Sequence, residues 1–281
     1  MILSVRDFFG RQPKFSEGFP DFDIRKPIAA PYVFWYHYRS PDAFRDMDKA
    51  HQDHMKFLTG WIEQEYGDLY NGADNQFSKG VVSAETMPFL VKPGDVLIST
   101  SGSTLNAQIA NSWADPTRGG PLLKQEDSFK DSNTDCDRPS WSWKVDAWGF
   151  EYDGQFYRRY STQTIKLTAQ DAQSEVSINK LKVYPIHYAD KSGAVERLKS
   201  RGTKFWTCRN RRLVAYEDDG GGNSSDRFMV DFQTYRQLHS DSASFERTYP
   251  SRKHLTGEEL SLIDRMSDDK PPSEPEIYVF P

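Results

Sequence analysis

The sequence predicts an α+β protein: a mostly antiparallel, hairpin-connected sheet or small partly open barrel, one long N-terminal helix and shorter packed helices. Two observations carry this reading. Apolar residues recur at helical spacing from Phe44 through Met47, Met55, Leu58, Trp61 and Ile62 to Leu69. Farther along, alternating apolar segments flank the turn dipeptides Gly102-Ser103 and Asp153-Gly154, which is hairpin patterning.

In chain order, residues 1–30 scatter phenylalanines among Gly and Pro without a period and read as an arm that lies on the domain or is partly disordered. The aromatic run PYVFWYHY, Pro31 to Tyr38, reads as a short buried strand. Ser40-Pro41-Asp42 is a helix start, with a capping serine, a proline at the first helical position and an acid near the positive end of the dipole. The helix it opens is expected from Pro41 to Tyr66, ending near Gly67 or Gly72. Pro93-Gly94 fits a type II turn, where glycine supplies the positive φ. A hairpin follows over Val96 to Ile109. Residues 114–140 are polar and read as a surface loop. WSWKVDAWGFEYDGQFYRRY is a second hairpin, with a further short strand at Ile165 and Leu167. Leu181 to Tyr188 is a strand that Pro185 confines to an edge or bulge. A basic helix is expected from Lys191 to Arg201, then strands at FWTCRNRRLVAYE and RFMVDF, and a short helix after Asp231. Thr256-Gly257-Glu258-Glu259 has capping-box spacing for one more helix. The tail SDDKPPSEPEIYVFP reads as a linker by composition.

Composition narrows the function. The chain has 281 residues, a net charge of −5 and 14% aromatic side chains, which need burial. Mean hydropathy is −0.76. No apolar run approaches the roughly 20 residues of a membrane helix, and MILSVRDFFGRQPK lacks the apolar core of a secretory signal. A soluble protein, cytoplasmic or nuclear, without membrane contact is expected. Its two cysteines, Cys136 and Cys208, are expected as reduced thiols.

Catalytic motifs do not emerge. The sequence contains no GxxxxGK[ST] phosphate loop and no GxSxG. His51 and His54 sit at i, i+3 on the long helix, a spacing a metal can use, but no third ligand can be named, and two histidines bordering the apolar stripe is the plainer reading. Cys208, with Arg209, Arg211 and Arg212 nearby, has charges that favour a thiolate, yet its apparent strand suits a small buried hydrophobe. No cofactor and no enzymatic activity are expected.

One stretch stands apart. Lys191 to Arg212 holds eight basic residues (Lys191, Arg197, Lys199, Arg201, Lys204, Arg209, Arg211, Arg212) against Glu196 alone, whereas the rest of the chain has 28 basic and 40 acidic residues. Arg197, Arg201 and Lys204 share a helical face beside an apolar one containing Ala194, Leu198 and Phe205. The plain reading is a docked helix whose long side chains reach outward. The same patch suits an acidic protein partner or, with Trp206 as its stacking residue, nucleic acid.

Four segments, in order, carry a resemblance. HMKFLTGWIEQEYGDLY with VVSAETMPFLVKPGDVLI, WKVDAWGFEYDGQFY, INKLKVYPIHYADKSGAVERLKSRGTKF and DRFMVDFQTY together resemble the uncharacterised domain that precedes the ATPase module in fungal AAA+ ATPases. They cover roughly Pro31 to Gln237. The family's glycine before the MVD stretch is Asp226 here. EPEIYVFP looks like the start of its linker, and the Walker-containing module is absent from this sequence. The resemblance implies a non-catalytic domain that recognises a protein partner or substrate for an AAA+ module, in cis or in trans. The boundaries expected are an arm over 1–30, an α+β domain over 31–245, and a C-terminal helix with a linker-like tail over 246–281.

Overall fold

The computed structural model describes residues 2–11, 28–40, 42–101, 104–117, 139–152, 156–189, 193–216, 226–238, 252–254 and 271–280. The chain is α+β. It divides into two compact units: residues 1–97, 110–146 and 162–188 form unit 1, and residues 98–109, 147–161 and 189–281 form unit 2.

Unit 1 begins with α1 (Ile2–Gly10), which the unpatterned phenylalanines did not announce. Val5, Phe8 and Phe9 are buried against α2 (Val33–Tyr38) and α3 (Lys49–Ser78). The aromatic segment at Val33–Tyr38 is a helix, not the expected strand. Aromatic preference for strands expresses packing on a pleated surface, and here the rings pack against helices instead. Tyr70 donates to the Pro31 carbonyl at 2.6 Å, and Trp35 Nε1 donates to Glu63 at 2.7 Å, tying α2 to α3.

The long helix is present but displaced from its expected bounds. Residues 42–47 form turns, Asp48 is the extended N-cap, and the helix runs through Gly67 and Gly72. Its buried stripe, Met55, Thr59, Ile62, Tyr70 and Ala73, explains this. Each interior glycine costs about 1 kcal/mol relative to alanine, while each large apolar side chain buried contributes about 1.5–3 kcal/mol. The helix ends where Gly80 takes φ +70° and its N–H bonds the Phe77 carbonyl at 3.0 Å.

The second core of unit 1 is built on strands. Val82, Met87, Val91, Leu97, Trp143, Val145, Ile165, Leu167, Ile178 and Val183 are buried together. The strands, in chain order, are β1 (Val81–Val82), β2 (Val96–Ser101), β3 (Thr104–Ala110), β4 (Asp115–Pro116), β5 (Ser140–Tyr152), β6 (Phe156–Thr168), β7 (Val176–Ser177), β8 (Val183–Pro185), β9 (Arg212–Tyr216), β10 (Asp226–Val230) and β11 (Arg252–His254). The main sheet has the order β11-β6-β5-β3-β2-β8, with β4 on β5. The order has two ends, so the sheet is open and not a closed barrel. β2 and β3 pair as the expected hairpin, as do β5 and β6, and Ile165 and Leu167 belong to the long β6. Pro185 lies in β8, the edge strand, where a missing N–H costs no ladder bond. The Pro93-Gly94 turn forms with Gly94 at φ +94° and is closed by the Asp95 carboxylate, which accepts from the Lys92 N–H at 2.9 Å. Within the expected loop, Asp115 and Pro116 pair with Lys144 and Trp143, while residues 118–138, including Cys136, lie outside the described residues.

Unit 2 contains α4 (Ala194–Thr207), the short pair β9–β10, α5 (Phe232–Leu238) and a C-terminal turn at Glu276–Val279. Two expectations fail here. The basic helix does not stop at Arg201. Ala194, Leu198, Gly202 and Trp206 recur every fourth residue as one buried stripe, so the helix continues to Thr207. Consequently FWTC is helix end rather than strand, and β9 begins at Arg212. Residues 271–280 of the C-terminal tail are not an extended linker. Ile277, Tyr278, Val279 and Phe280 are all buried, and Phe280 stacks on Phe150 and Phe205 with centroids 5.0 and 5.6 Å apart. The α5 start follows expectation: Asp231 accepts from the Thr234 N–H at 2.9 Å and from its hydroxyl at 2.7 Å, a capping arrangement. The helix expected after Thr256 lies outside the described residues.

Candidate functional site

The basic helix supplies the site. Arg197, Arg201 and Lys204 share one face of α4, as their spacing predicts, and line a groove of about 800 Å³ in unit 2. Leu198, Phe205 and Leu105, from the start of β3, form its apolar floor, and Glu196 and Cys208 also reach it.

The helix can lie this low only because of Gly202. A Cβ at that position would stand 1.9 Å from the Ile277 carbonyl oxygen. The glycine thus lets the backbone of α4 meet the backbone of the C-terminal turn.

The predicted binding residues divide sharply. Arg201 is structural: one terminal nitrogen donates to the Leu105 carbonyl and the other to the Phe280 carbonyl at 3.2 Å. Its Nε is buried without a partner. Burial, and then the charge of Arg197, pull the Arg201 pKa down. Trp206 is wholly buried and is not the expected stacking platform. Arg209 lies over its ring at 3.8 Å and donates to its carbonyl at 3.0 Å. Arg211 donates to Asp231 at 2.6 Å and to Thr234 at 3.1 Å, and Arg212 to the Thr207 carbonyl at 3.3 Å. Lys199 pairs with Glu274 at 3.2 Å. Lys191 lies outside the described residues. Arg197 and Lys204 remain: both are exposed, and neither side chain has a partner among the described residues. Cys208 is not in a strand but caps the C-terminus of α4, half-buried, with its N–H bonded to the Lys204 and Phe205 carbonyls.

His51 and His54 are used in unit 1 to dock α1 on α3. His51 Nδ1 is 3.0 Å from Asp7 Oδ2, and His54 Nδ1 is 3.1 Å from the buried Ser4 hydroxyl. The His51 hydrogen bond, with that of Arg11, holds the Asp7 carboxyl below its ordinary range. Among the described residues no group of three or more His, Cys, Asp or Glu is placed to hold a metal.

Sequence reading also missed His37. Its ring stacks on Trp113 at 5.0 Å and 10°, and its Nε2 is buried with no partner. Burial, reinforced by Lys92 and Arg39, pushes its pKa down to about 3. Nothing in the aromatic run distinguished His37 from its neighbours.

Residues 73–190 are similar to a domain of unknown function, DUF7025. The similar region opens in the last turns of α3, takes in β1 to β8, and stops before α4, so Leu105 lies within it and the groove's cations lie outside. No curated protein and no solved structure matches the chain. Among the described residues no helix is long and apolar enough to cross a membrane.

Proposed function

We propose that the chain is a non-catalytic recognition domain, related to the N-terminal region of fungal AAA+ ATPases, that binds a protein partner or substrate inside the cell through the α4 groove. It would present that partner to an AAA+ module in cis or in trans. One observation carries the reading: Arg197 and Lys204, in an acidic chain, stand exposed and without a partner among the described residues, over an apolar floor. Ordinary solvated lysines and arginines lack that floor. Large side-chain contact area with a few placed charges is the composition of a recognition groove.

The nucleic-acid reading is less well supported. Single-strand binders pair cationic grooves with exposed aromatic platforms. Here Trp206 is buried beneath Arg209 and does not line the groove, and the aromatic that does, Phe205, is stacked on Phe280.

The test places a photo-crosslinking amino acid at Ser200, which lines the groove, in the full chain, alone and with Arg197→Glu and Lys204→Glu. Polypeptide adducts that disappear in the charge-reversed chain support the reading. Adducts that are nucleic acid, with a steep loss of binding to a labelled oligonucleotide as salt rises, favour the alternative. Adducts indifferent to the charge reversal remove the groove as the recognition surface.

A further inference from the structure

Arg197 and Lys204, without partners among the described residues, are seven residues apart on α4, which is two turns and about 10.5 Å along the axis. Between them the groove carries an apolar floor, with Leu198 buried and Leu105 and Phe205 half-buried, alongside Ser200 and Arg201. Arg201, on the same face, is occupied by the Leu105 and Phe280 carbonyls. It still contributes its charge, one turn from Arg197, so like charges crowd this end of the groove and only Glu196 opposes them. An incoming anion relieves that repulsion.

Resting on the recognition reading above, we propose that the groove binds an acidic amphipathic helix of a partner protein, with carboxylates at i and i+7 facing Arg197 and Lys204 and apolar side chains at i+3 and i+4 on the Leu105, Leu198 and Phe205 floor. A helix lying along α4 has the same 1.5 Å rise per residue, so two acids two turns apart meet two cations two turns apart. An extended segment fits less well. Its side chains on one face recur at about 6.6 and 13 Å, straddling the spacing of the cations. The groove, at about 800 Å³, has room for the apolar side chains between the acids.

The experiment uses the full chain and a fluorescein-labelled synthetic peptide on an Ala/Gln helical background, carrying Glu at i and i+7 and Leu at i+3 and i+4, read by anisotropy. Three controls accompany it: the same peptide with both Glu replaced by Gln, one with the acids five residues apart, and a labelled single-stranded oligonucleotide. The expected result is saturable binding of the parent peptide, weakened about tenfold or more by either peptide control and by the R197Q/K204Q chain. R197Q/K204Q removes exposed side chains that have no partner among the described residues and leaves the contacts described above intact.

Equal binding of the Gln peptide, or of the peptide with displaced acids, overturns the acidic-helix proposal. So does binding of the oligonucleotide alone. If the parent peptide fails while Ser200 still crosslinks polypeptide in a manner dependent on Arg197 and Lys204, the ligand class is wrong and recognition stands. If the peptide fails and those crosslinks are also absent, both fall.

Discussion

Replacing Gly202 with alanine sets two physical terms of opposite sign against each other. By helix propensity alone, Gly→Ala inside α4 stabilises by about 0.8–1 kcal/mol. By packing, it forces a methyl into a space where its carbon would stand 1.9 Å from the Ile277 carbonyl oxygen. Ordinary contact begins at 3.4 Å, so helix and turn must part by about 1.5 Å. The obstructing atom is backbone and cannot rotate aside as a side chain would. Overpacking of this kind costs about 1–3 kcal/mol and occasionally more. Full undocking of the turn, exposing Ile277, Val279 and Phe280, sets an upper bound of roughly 5–9 kcal/mol from burial. The packing term wins, and the expected outcome is a net loss of about 1 kcal/mol, the overpacking cost less the propensity gain. Gly72→Ala in α3 is the internal control, since nothing lies within 4 Å of its Cβ position; it should stabilise by about 0.5–1 kcal/mol. Urea unfolding of both variants, followed by tryptophan fluorescence, measures the difference. If Gly202→Ala is as stabilising as Gly72→Ala, the close docking of α4 on the C-terminal turn is wrong.

Three other outcomes follow from the same structure. His37 is held neutral in the fold with its pKa pushed down to about 3 from 6.5, so between those values the unfolded chain binds the extra proton. Stability should therefore fall as pH drops through that window, by about 1.4 kcal/mol per unit for this group; in His37→Gln, urea titrations from pH 7 to 4 should show a slope smaller by about one proton, and an unchanged slope would contradict the burial. Arg201→Lys keeps the charge but cannot bridge two carbonyls as a planar fork does, so a loss of about 1.5–3 kcal/mol is expected, and a neutral result would mean that the bridge contributes nothing. Arg197→Gln with Lys204→Gln should leave unfolding within about 0.5 kcal/mol of the parent chain; marked destabilisation would show that these cations serve the fold rather than a ligand.

What the sequence revealed and what it hid separate by the range of the interaction. Local signals held. The Pro93-Gly94 turn, both hairpins, the edge position of Pro185 and the Asp231 cap all depend on neighbours a few residues away. So does the shared face of Arg197, Arg201 and Lys204. Three failures have distant causes. Aromatic side chains at Phe34 and Trp35 became helical because α1 and α3, not a sheet, cover them. Nothing local shows the role of Gly202, which appears only when Ile277 is placed against it, 75 positions later in the chain. Arg201 looks equivalent to Arg197 in any count of charge, and only the Leu105 and Phe280 carbonyls distinguish them.

That last distinction bears on how the groove works. Arg201 is at once part of the groove's lining and the residue that fastens the C-terminal turn, and the ring of Phe280 supports Phe205 in the groove floor. A ligand settling on Phe205 and against Arg201 therefore acts on residues that hold residues 276–280 in place. Linkage requires reciprocity: a variant that loosens the turn must weaken the groove's ligand, and a bound ligand must protect the turn. Protection of the Ile277 and Tyr278 amides from hydrogen exchange, whose N–H groups bond the Ser273 and Pro275 carbonyls at 3.2 and 3.1 Å, should rise when the acidic peptide binds. Binding without any change in that protection would mean that the groove and the turn share residues but not free energy.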